Sequence, residues 1–426
     1  MSHHLLNTVA MMIKNEEKTI RRTFRSVRNW VNKIVIYDTG STDDTLKIIS
    51  KMCKDEFIDL VIHQGEFVDF STSRNRLLAF CEEDPEIDYV LLLDANDEVE
   101  IDWEQLKIEE GKTAYNIRQR WLEETGAVNE YYNVRFLKLR EGWYYRGRIH
   151  EDLFNDDLEK LHPDILKGVV LVQERKHDFE KTRLRLPSDI QILTQDYLTM
   201  KEKGNTSENS DFYRCLNYLG QTHVNLAIIP DTKLKLYHYG MALKNYIELI
   251  NLFREKFNNK VEFDKEQYYN SLLLAGCITQ TLEQPWKNGI EYFNEAIDLW
   301  PQRCEAFIPI IEHYVNSGST EHTLLAFMYS NFICRLSCPH ININVNKLMW
   351  DAIRWKLYAI ICLEVGANNA DIFLAGREAL DVFIKGAKDC KYELSPSEED
   401  LIQVYKETEV KVVNKMSEDA KKPHLN

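Results

Sequence analysis

Three short apolar runs within the first hundred residues each end in polar and acidic side chains, and this constrains the fold more than any bulk property. Thr8 to Ile13 leads into Lys14-Asn15-Glu16, and Lys33 to Tyr37 ends in Asp38-Thr39-Gly40-Ser41-Thr42-Asp43. Tyr89 to Leu93 ends in Asp94-Ala95-Asn96-Asp97-Glu98, with Ser73-Arg74-Asn75 lying between the second and third runs. Ile20, Phe24, Val27, Trp30 and Val31 recur at spacings of three and four, which predicts one helix face between the first two strands. After Asp38, Ser41 with Asp44 reads as a capping box opening a helix from Asp43 to Met52, with Leu46, Ile49 and Cys53 facing inward. A further helix is expected over Arg74 to Phe80. Alternation of this kind predicts a parallel sheet covered by helices. Acids placed just past the carboxyl ends of such strands lie where open α/β sheets bind ligands. Their number suits a polyanion held through a metal ion.

From 113 to about 177 the grammar changes. Ala114 to Ile117, Val134 to Leu139 and Val169 to Gln173 read as short strands among aromatic and charged loops, extending the sheet with mixed directions. Beyond Pro187 the pattern is helical. Leu236, Tyr239, Leu243, Tyr246 and Ile250 form one stripe. Trp286, Ile290, Phe293, Ile297 and Trp300 form another, and Phe307, Ile311, Tyr314 and Val315 a third. Helices of about 15 residues with short polar breaks suggest stacked antiparallel pairs or a plain bundle. The division expected is an α/β domain over 1–185, an all-α domain over 186–409 and a polar, frayed tail over 410–426.

The length of 426 residues calls for more than one core. A net charge of −15 disfavours nonspecific binding to nucleic acid or anionic lipid, so an anionic ligand needs local arginines, amides or a metal. No apolar stretch reaches the roughly 18 residues that a membrane-spanning helix needs, and the first residues lack a signal-peptide pattern. Nine cysteines without a CxxC pair point to reduced thiols and a cytoplasmic setting. Cys334 and Cys338 share a helix face, but two ligands do not make a zinc site.

The phrases MMIKNEEKTIRRTFRSV, IVIYDTGSTDDT, STSRNRLLAF, YVLLLDANDEVE and RGRIHEDLF, in this order, resemble family 2 glycosyltransferases of the GT-A fold. The branch resembled carries a TPR-like helical C-terminal region, and Pro301-Gln302-Arg303-Cys304-Glu305-Ala306 looks like the turn common there. The resemblance implies an α/β, Rossmann-like GT-A domain with a mostly parallel mixed sheet, followed by helical repeats. It also implies metal-dependent, inverting transfer of a sugar from a nucleotide-sugar donor, expected to be UDP-linked, to a carbohydrate or protein acceptor.

Each motif then acquires an expected role beside a plain structural one. Asp38 is expected to accept from the base, an acceptor-only task that suits a carboxylate; the alternative is a turn with Gly40 that caps the next helix. Glu16 is expected near ribose, or else as a first-turn acid favoured by the helix dipole. Arg74 can pair bidentately with diphosphate or a base edge, or form an ion pair with a strand-end aspartate. Asp94-Ala95-Asn96-Asp97 stands where the family carries D-x-D, whose oxygens hold Mn²⁺ or Mg²⁺ against the diphosphate. Asn96 departs from that pattern and brings no charge, so Asp97 is a candidate to take over.

In Arg148-Ile149-His150-Glu151-Asp152 the expected base is Glu151, with Asp152 second, because inverting transfer needs a group that takes the acceptor's proton. His150 and His177 are candidate ligands for the metal or phosphate, and Arg146 and Arg148 candidates to steady the diphosphate. Trp121 is expected in the core, while Tyr144 and Tyr145 remain open between core and sugar stacking. The competing reading, kept alive by Asn96, is a GT-A-like binding protein of weak or no turnover. Its helical domain would serve as a scaffold for a protein partner or a second copy.

Overall fold

The computed structural model describes residues 5–109, 111–123, 128–157, 163–175, 179–204, 210–229, 233–261, 263–339, 345–366, 369–390 and 392–419. The chain forms two compact units, one of residues 1–124 with 129–229 and one of 230–426 with the segment 125–128.

The first unit is built on an eight-stranded sheet. Strands β1 (Thr8–Ile13), β2 (Lys33–Asp38), β3 (Asp59–Gln64) and β4 (Tyr89–Leu93) begin it. They are followed by β5 (Asp97–Ile101), β6 (Ala114–Glu123), β7 (Val128–Lys138) and β10 (Asp164–Arg175). The order is β3-β2-β1-β4-β7-β6-β10-β5. The first four strands of that order are parallel, whereas β7 runs antiparallel to β4 and β5 antiparallel to β10. The chain moves outward from β1 to β3 and then returns to lay β4 on the other side of β1. This makes a topological switch point, and the crevice beyond the carboxyl ends of β1 and β4 is where such sheets take ligands.

The period-two alternation of the strands divides the core. Val9, Met11, Ile13, Ile34, Ile36, Leu91 and Leu93 face helices α1 (Ile20–Val27) and α2 (Thr45–Asp55), meeting Phe24, Val27 and Ile49. Ala10, Val35, Tyr37, Val90 and Leu92 face α3 (Phe70–Glu83), meeting Leu77, Leu78 and Cys81. Strands buried on both faces read as continuous apolar runs, which is why these runs were visible in the sequence. Each fully buried aliphatic side chain stabilises the unit by about 1.5–3 kcal/mol relative to exposure.

Two helix starts differ from expectation. The Ser41–Asp44 capping box does not form, and α2 begins at Thr45 with no side-chain bond from its cap residue, Asp44. Asp43 instead accepts from the Thr45 N–H at 3.0 Å, and Ser41 Oγ accepts from the Asn15 N–H at 3.0 Å. The β1–α1 turn, with Asn15 at φ 56°, competes for Ser41 and wins. Helix α3 starts a turn before Arg74 because the Asp69 carboxylate accepts from the Thr72 N–H at 2.7 Å.

A two-stranded hairpin, β8 (Tyr144–Arg146) with β9 (Asp152–Phe154), stands apart from the main sheet. Helices α4 (Phe179–Glu202) and α5 (Ser210–Ile228), read from the sequence as part of the helical region, pack with the first unit. Pro187 lies inside α4, so helix precedes the proline as well as following it.

From residue 233 on, the described residues of the second unit are all-α, with helices α6 (Lys235–Asn258), α7 (Lys265–Thr281), α8 (Trp286–Leu299) and α9 (Phe307–Asn316). Helices α10 (Thr320–Cys334), α11 (Arg354–Val365), α12 (Ala370–Asp389) and α13 (Pro396–Asp419) complete it. Successive helices pack on one another. A Cβ at Gly276 would lie 2.4 Å from the Phe293 ring, so glycine is what lets α7 and α8 approach. Of the first expected stripe, Tyr239, Leu243, Tyr246 and Ile250 are buried and Leu236 is exposed. Helix α13 runs to Asp419, so the first part of the expected tail from 410 is helical; 420–426 lie outside the described residues. Among the described residues no helix is long and apolar enough to cross a membrane.

Candidate active site

Three groups of polar side chains gather at the carboxyl end of the parallel strands and on the hairpin beside them. The first is centred on Arg74, which α3 presents buried. Its Nη2 donates to Asp94 Oδ1 at 2.7 Å and its Nε to Glu151 Oε1 at 2.5 Å. Arg135 approaches the other oxygen of Asp94, Nη2 to Oδ2 at 3.2 Å. The register of β7 on β4, with Phe136 opposite Leu91, brings Arg135 to the carboxyl end of β4. Burial works to raise the Asp94 carboxyl, but Arg135 and Arg74 outweigh it and hold the group well below the usual carboxylate range. The structural role weighed for Arg74, an ion pair with a strand-end aspartate, is therefore present.

Asp97 turns the other way. Its carboxylate accepts from the Asp94 N–H at 2.8 Å and from the Gln173 amide at 3.2 Å, and the residue is buried. Burial, reinforced by the charge of Asp94, pushes its carboxyl up to about 7. Asn96 Oδ1 accepts from the same Gln173 amide at 2.8 Å. Gln173 stands opposite Asp97 in the β10–β5 register, which is how the two ends of the turn come under one side chain.

The metal set expected at this turn is not assembled. Both oxygens of Asp94 are taken by arginines, the Asn96 oxygen by Gln173, and Asp97 faces inward. His150 lies on the hairpin loop with its ring stacked on Tyr218, centroids 4.1 Å apart. His177 lies outside the described residues. Among the described residues no group of three or more His, Cys, Asp or Glu is arranged to hold a metal ion.

The second group is the turn after β1 and β2. Asp38 is buried and accepts from the Ser41 N–H at 3.0 Å and the Gln64 amide at 3.3 Å. Gly40, at φ 100°, makes the turn that brings Ser41 back to it. The carboxylate of Glu16 accepts from the Thr19 hydroxyl at 2.7 Å, and its N–H donates to Thr45 Oγ1 at 2.7 Å. Asp38 thus makes the turn with Gly40 weighed for it but does not cap α2, and Glu16 lies ahead of α1, whose first turn carries no acid. The crossing bonds of Asn15, whose Oδ1 accepts from the Thr42 N–H at 2.8 Å, tie the two turns together.

The third group is the hairpin loop from Gly147 to Glu151. Glu151 belongs to the Arg74 group, but its neighbours face α4 and α5. Arg148 Nε donates to Asp196 Oδ1 at 2.9 Å and Nη2 to the Ile192 carbonyl at 3.2 Å. Asp152 pairs with Arg214 at 2.7 Å; packing around its carboxyl raises the pKa, with Arg214 and Arg146 opposing. Close packing, with Arg185 and Arg214 adding to it, lowers the His150 imidazole to about 4, so it is neutral near pH 7. Arg146 lies over the Phe154 ring at 3.7 Å, and Trp121 meets Tyr131 edge to face. Tyr145 is buried against the α3 face of the sheet, which gives it a core role. Tyr144 donates to Asp156 at 2.8 Å.

Sequence reading missed Arg135, Gln173 and Asn75. Asn75 clamps the hairpin, donating to the Tyr145 carbonyl at 2.8 Å and accepting from the Tyr145 N–H at 2.6 Å. Arg135 did leave a signal: a cation ahead of the apolar Phe136-Leu137 pair in a buried strand requires an anion beside it.

Residues 8–143 match the family described as Glycosyl transferase family 2. The SPbeta prophage-derived glycosyltransferase SunS of Bacillus subtilis (strain 168) is 23% identical over 278 residues, covering 63% of this chain and 57% of that protein. Glycosyltransferase SunS of Bacillus phage SPbeta gives the same figures. The chain thus spans a little over half the length of these curated relatives. Among solved structures, S. aureus TarS matches at 14% identity and a TM-score of 0.34, over 65% of this chain and 55% of that one. S. aureus TarS 1–349 in complex with UDP-GlcNAc matches at 14% identity and a TM-score of 0.27, over 77% of this chain and 91% of that one. The similarity to glycosyl transferase family 2 thus lies in residues 8–143, within the first unit.

Proposed function

We propose that this protein is an inverting glycosyltransferase that moves a sugar from a UDP-linked donor to a hydroxyl of a carbohydrate or protein acceptor. The observation that carries the reading is the Arg74 bridge at the switch-point crevice. One guanidinium joins the strand-end acid Asp94 to Glu151, the candidate base, with Arg135 alongside. Two fixed guanidinium groups at one end of a parallel sheet suit the diphosphate of a nucleotide sugar, since each can bind phosphate through two parallel N–H donors. As the leaving diphosphate gains charge, Arg74 and Arg135 stabilise it.

In this reading the donor's phosphates draw the arginines from their carboxylates, and Glu151 is freed to take the acceptor's proton. Asp38 contributes a remaining lone pair to the base, and Glu16 borders the ribose. Arg74 and Arg135 supply positive charge to the diphosphate, and Asp94, Asn96 and Asp97 are the side chains that would hold Mn²⁺ or Mg²⁺ beside it. The second unit, whose stacked helices fit a TPR-like arrangement, serves acceptor recognition or self-association. The nine cysteines, all free thiols, suit a reducing compartment, and we place the enzyme in the cytosol.

A thermal-shift panel of nucleotides and nucleotide sugars, followed by assay of UDP release from those that bind, tests the reading. A ligand that binds only the native state raises the melting temperature. UDP and at least one UDP-sugar should do so, and the latter should be hydrolysed slowly. Stabilisation without any UDP release would favour a binding protein, and no stabilisation by any uridine nucleotide would remove the donor assignment.

A further inference from the structure

We infer that Arg214 and Tyr218 of α5 are positioning residues that hold the Glu151 loop in its working geometry. The inference rests on the reading of Glu151 as the base. Glu151 closes the five-residue loop between β8 and β9, and two backbone features make that loop unusual. Gly147 sits at φ 88° and His150, a residue with a Cβ, at φ 54°. A left-handed residue flanking the candidate base persists only where its surroundings hold it.

Those surroundings come from two sides. On one side α3 clamps the hairpin stem through Asn75 on Tyr145, and the Phe70 N–H donates to the Arg148 carbonyl at 3.3 Å. On the other side α5 grips the loop. Arg214 Nη2 donates to the His150 carbonyl and reaches that of Ile149 at 3.5 Å, while Nε pairs with Asp152 at 2.7 Å. One guanidinium therefore holds the residues before and after Glu151. Tyr218, one helical turn on, stacks on the His150 ring with planes 11° apart. The loop is shaped to admit this grip: a Cβ at Gly147 would lie 2.3 Å from Arg214 Nη1.

Arg214 acts through the Ile149 and His150 carbonyls and the Asp152 carboxylate and Tyr218 through the His150 ring, on either side of Glu151, where a misplacement of about 1 Å can cost on the order of a hundredfold in rate. Helix α5 is in this sense part of the catalytic apparatus.

The test compares full-length wild type with Arg214→Ala, Arg214→Lys and Tyr218→Leu. UDP binding is measured by calorimetry, UDP release is followed with UDP-GlcNAc and UDP-glucose, and peptide hydrogen exchange reports on residues 143–154. Arg214→Ala should lower kcat by about a hundredfold while KM for the donor and UDP affinity change by less than about threefold. Exchange of the loop amides should rise, and Arg214→Lys should recover part of both losses. In a Glu151→Gln background the arginine substitution should add little, since residues acting as one unit are not additive. Unchanged loop exchange and kcat in Arg214→Ala would overturn the inference. So would a full additional hundredfold loss on top of Glu151→Gln. If Arg214→Ala does not fold, Arg214→Lys and Tyr218→Leu carry the same comparison at smaller amplitude. Absence of UDP release in the wild type would sink the functional reading, while the exchange measurement would still decide whether α5 holds the loop.

Discussion

Arg74 in the first unit and Arg303 in the second are both buried guanidinium groups paired with two carboxylates, and their surroundings give them different meanings. Arg303 donates to Glu305 through Nε at 3.1 Å and Nη2 at 2.8 Å and faces Glu266 at 3.4 Å. Tyr269 and Trp300 enclose it, and Trp350 Nε1 donates to Glu305 as well. Its main partner lies two residues away in the Pro301–Ala306 turn and is only 2% exposed at the side chain. Arg74 draws its two carboxylates from places 20 and 77 residues away in the chain, and the side chains of Asp94 and Glu151 remain 30% and 14% exposed at the crevice. A buried ion pair is thus no mark of function by itself. What separates the two is whether a ligand arriving from solvent can take over one side of the pair.

The largest effects should therefore fall on different properties in the two networks. Glu151→Gln keeps the shape but removes the base, so turnover should fall by about two to four orders of magnitude. UDP affinity and melting temperature should stay near wild type, and Asp152→Asn should cost less than about tenfold. Steady-state UDP release with calorimetry in parallel makes the check. Near-wild-type turnover in Glu151→Gln would leave Arg74 as structural as Arg303.

Glu305→Ala should do the reverse. Removing one partner of a buried pair costs about 3–5 kcal/mol, because the remaining charge has no water to turn to. Differential scanning calorimetry should show the second unit's transition moving down by many degrees. UDP binding measured well below that transition should be unchanged. A mild loss of stability would mean that Glu266 and the two aromatic rings suffice for Arg303.

The same contrast explains how much could be read in the sequence. The strands β1, β2 and β4 and helix α1 were legible because continuous apolar runs and a 3.6-residue period each follow from burial. The acids Asp38 and Asp94 stood out because they end those runs, and Glu151 because its His-Glu phrase resembles the family's. What escaped was long-range pairing. Nothing local says that Arg135 meets Asp94 or that Gln173 covers Asn96, since strand order decides both. The capping box at Ser41 failed for a similar reason, because Asn15 lies far back in the chain. The inward turn of Asp97 also depends on register, as its partner Gln173 stands opposite it on β10.

A smaller effect should separate charge supplied by arginine from charge supplied by metal. If Arg74 and Arg135 hold the diphosphate, Arg135→Ala should weaken UDP binding by about tenfold, the scale of one charge-assisted hydrogen bond. Replacing Mn²⁺ by EDTA should change wild-type affinity by less than about threefold. Calorimetry with UDP covers both arms. A large loss in EDTA, abolished in Asp94→Ala, would restore the metal and show that the arginines yield Asp94 to it.

The smallest expected effect concerns Asp97, the acid of the Arg74 side that turns inward. Its carboxyl titrates near 7 in the folded chain, against about 3.9 for an unfolded aspartate. The folded state therefore holds this proton more tightly than the unfolded state does. That contribution to stability is fully present below about pH 4 and is lost as the pH rises through about 7. Asn at position 97 carries no titrating proton but retains an oxygen for the Asp94 N–H. The melting temperature of Asp97→Asn, taken relative to wild type, should accordingly rise between pH 5 and pH 8 by a few degrees. Asp94, held below its usual range by the two arginines, is ionised in both states across that window, so its own contribution is lost only as the pH falls below about 4. Parallel curves for wild type and Asp97→Asn would mean that Asp97 is ionised in the folded chain at pH 5. The turn would then carry two negative charges against Arg74 and Arg135, and a cation-holding role for it would have to be reconsidered.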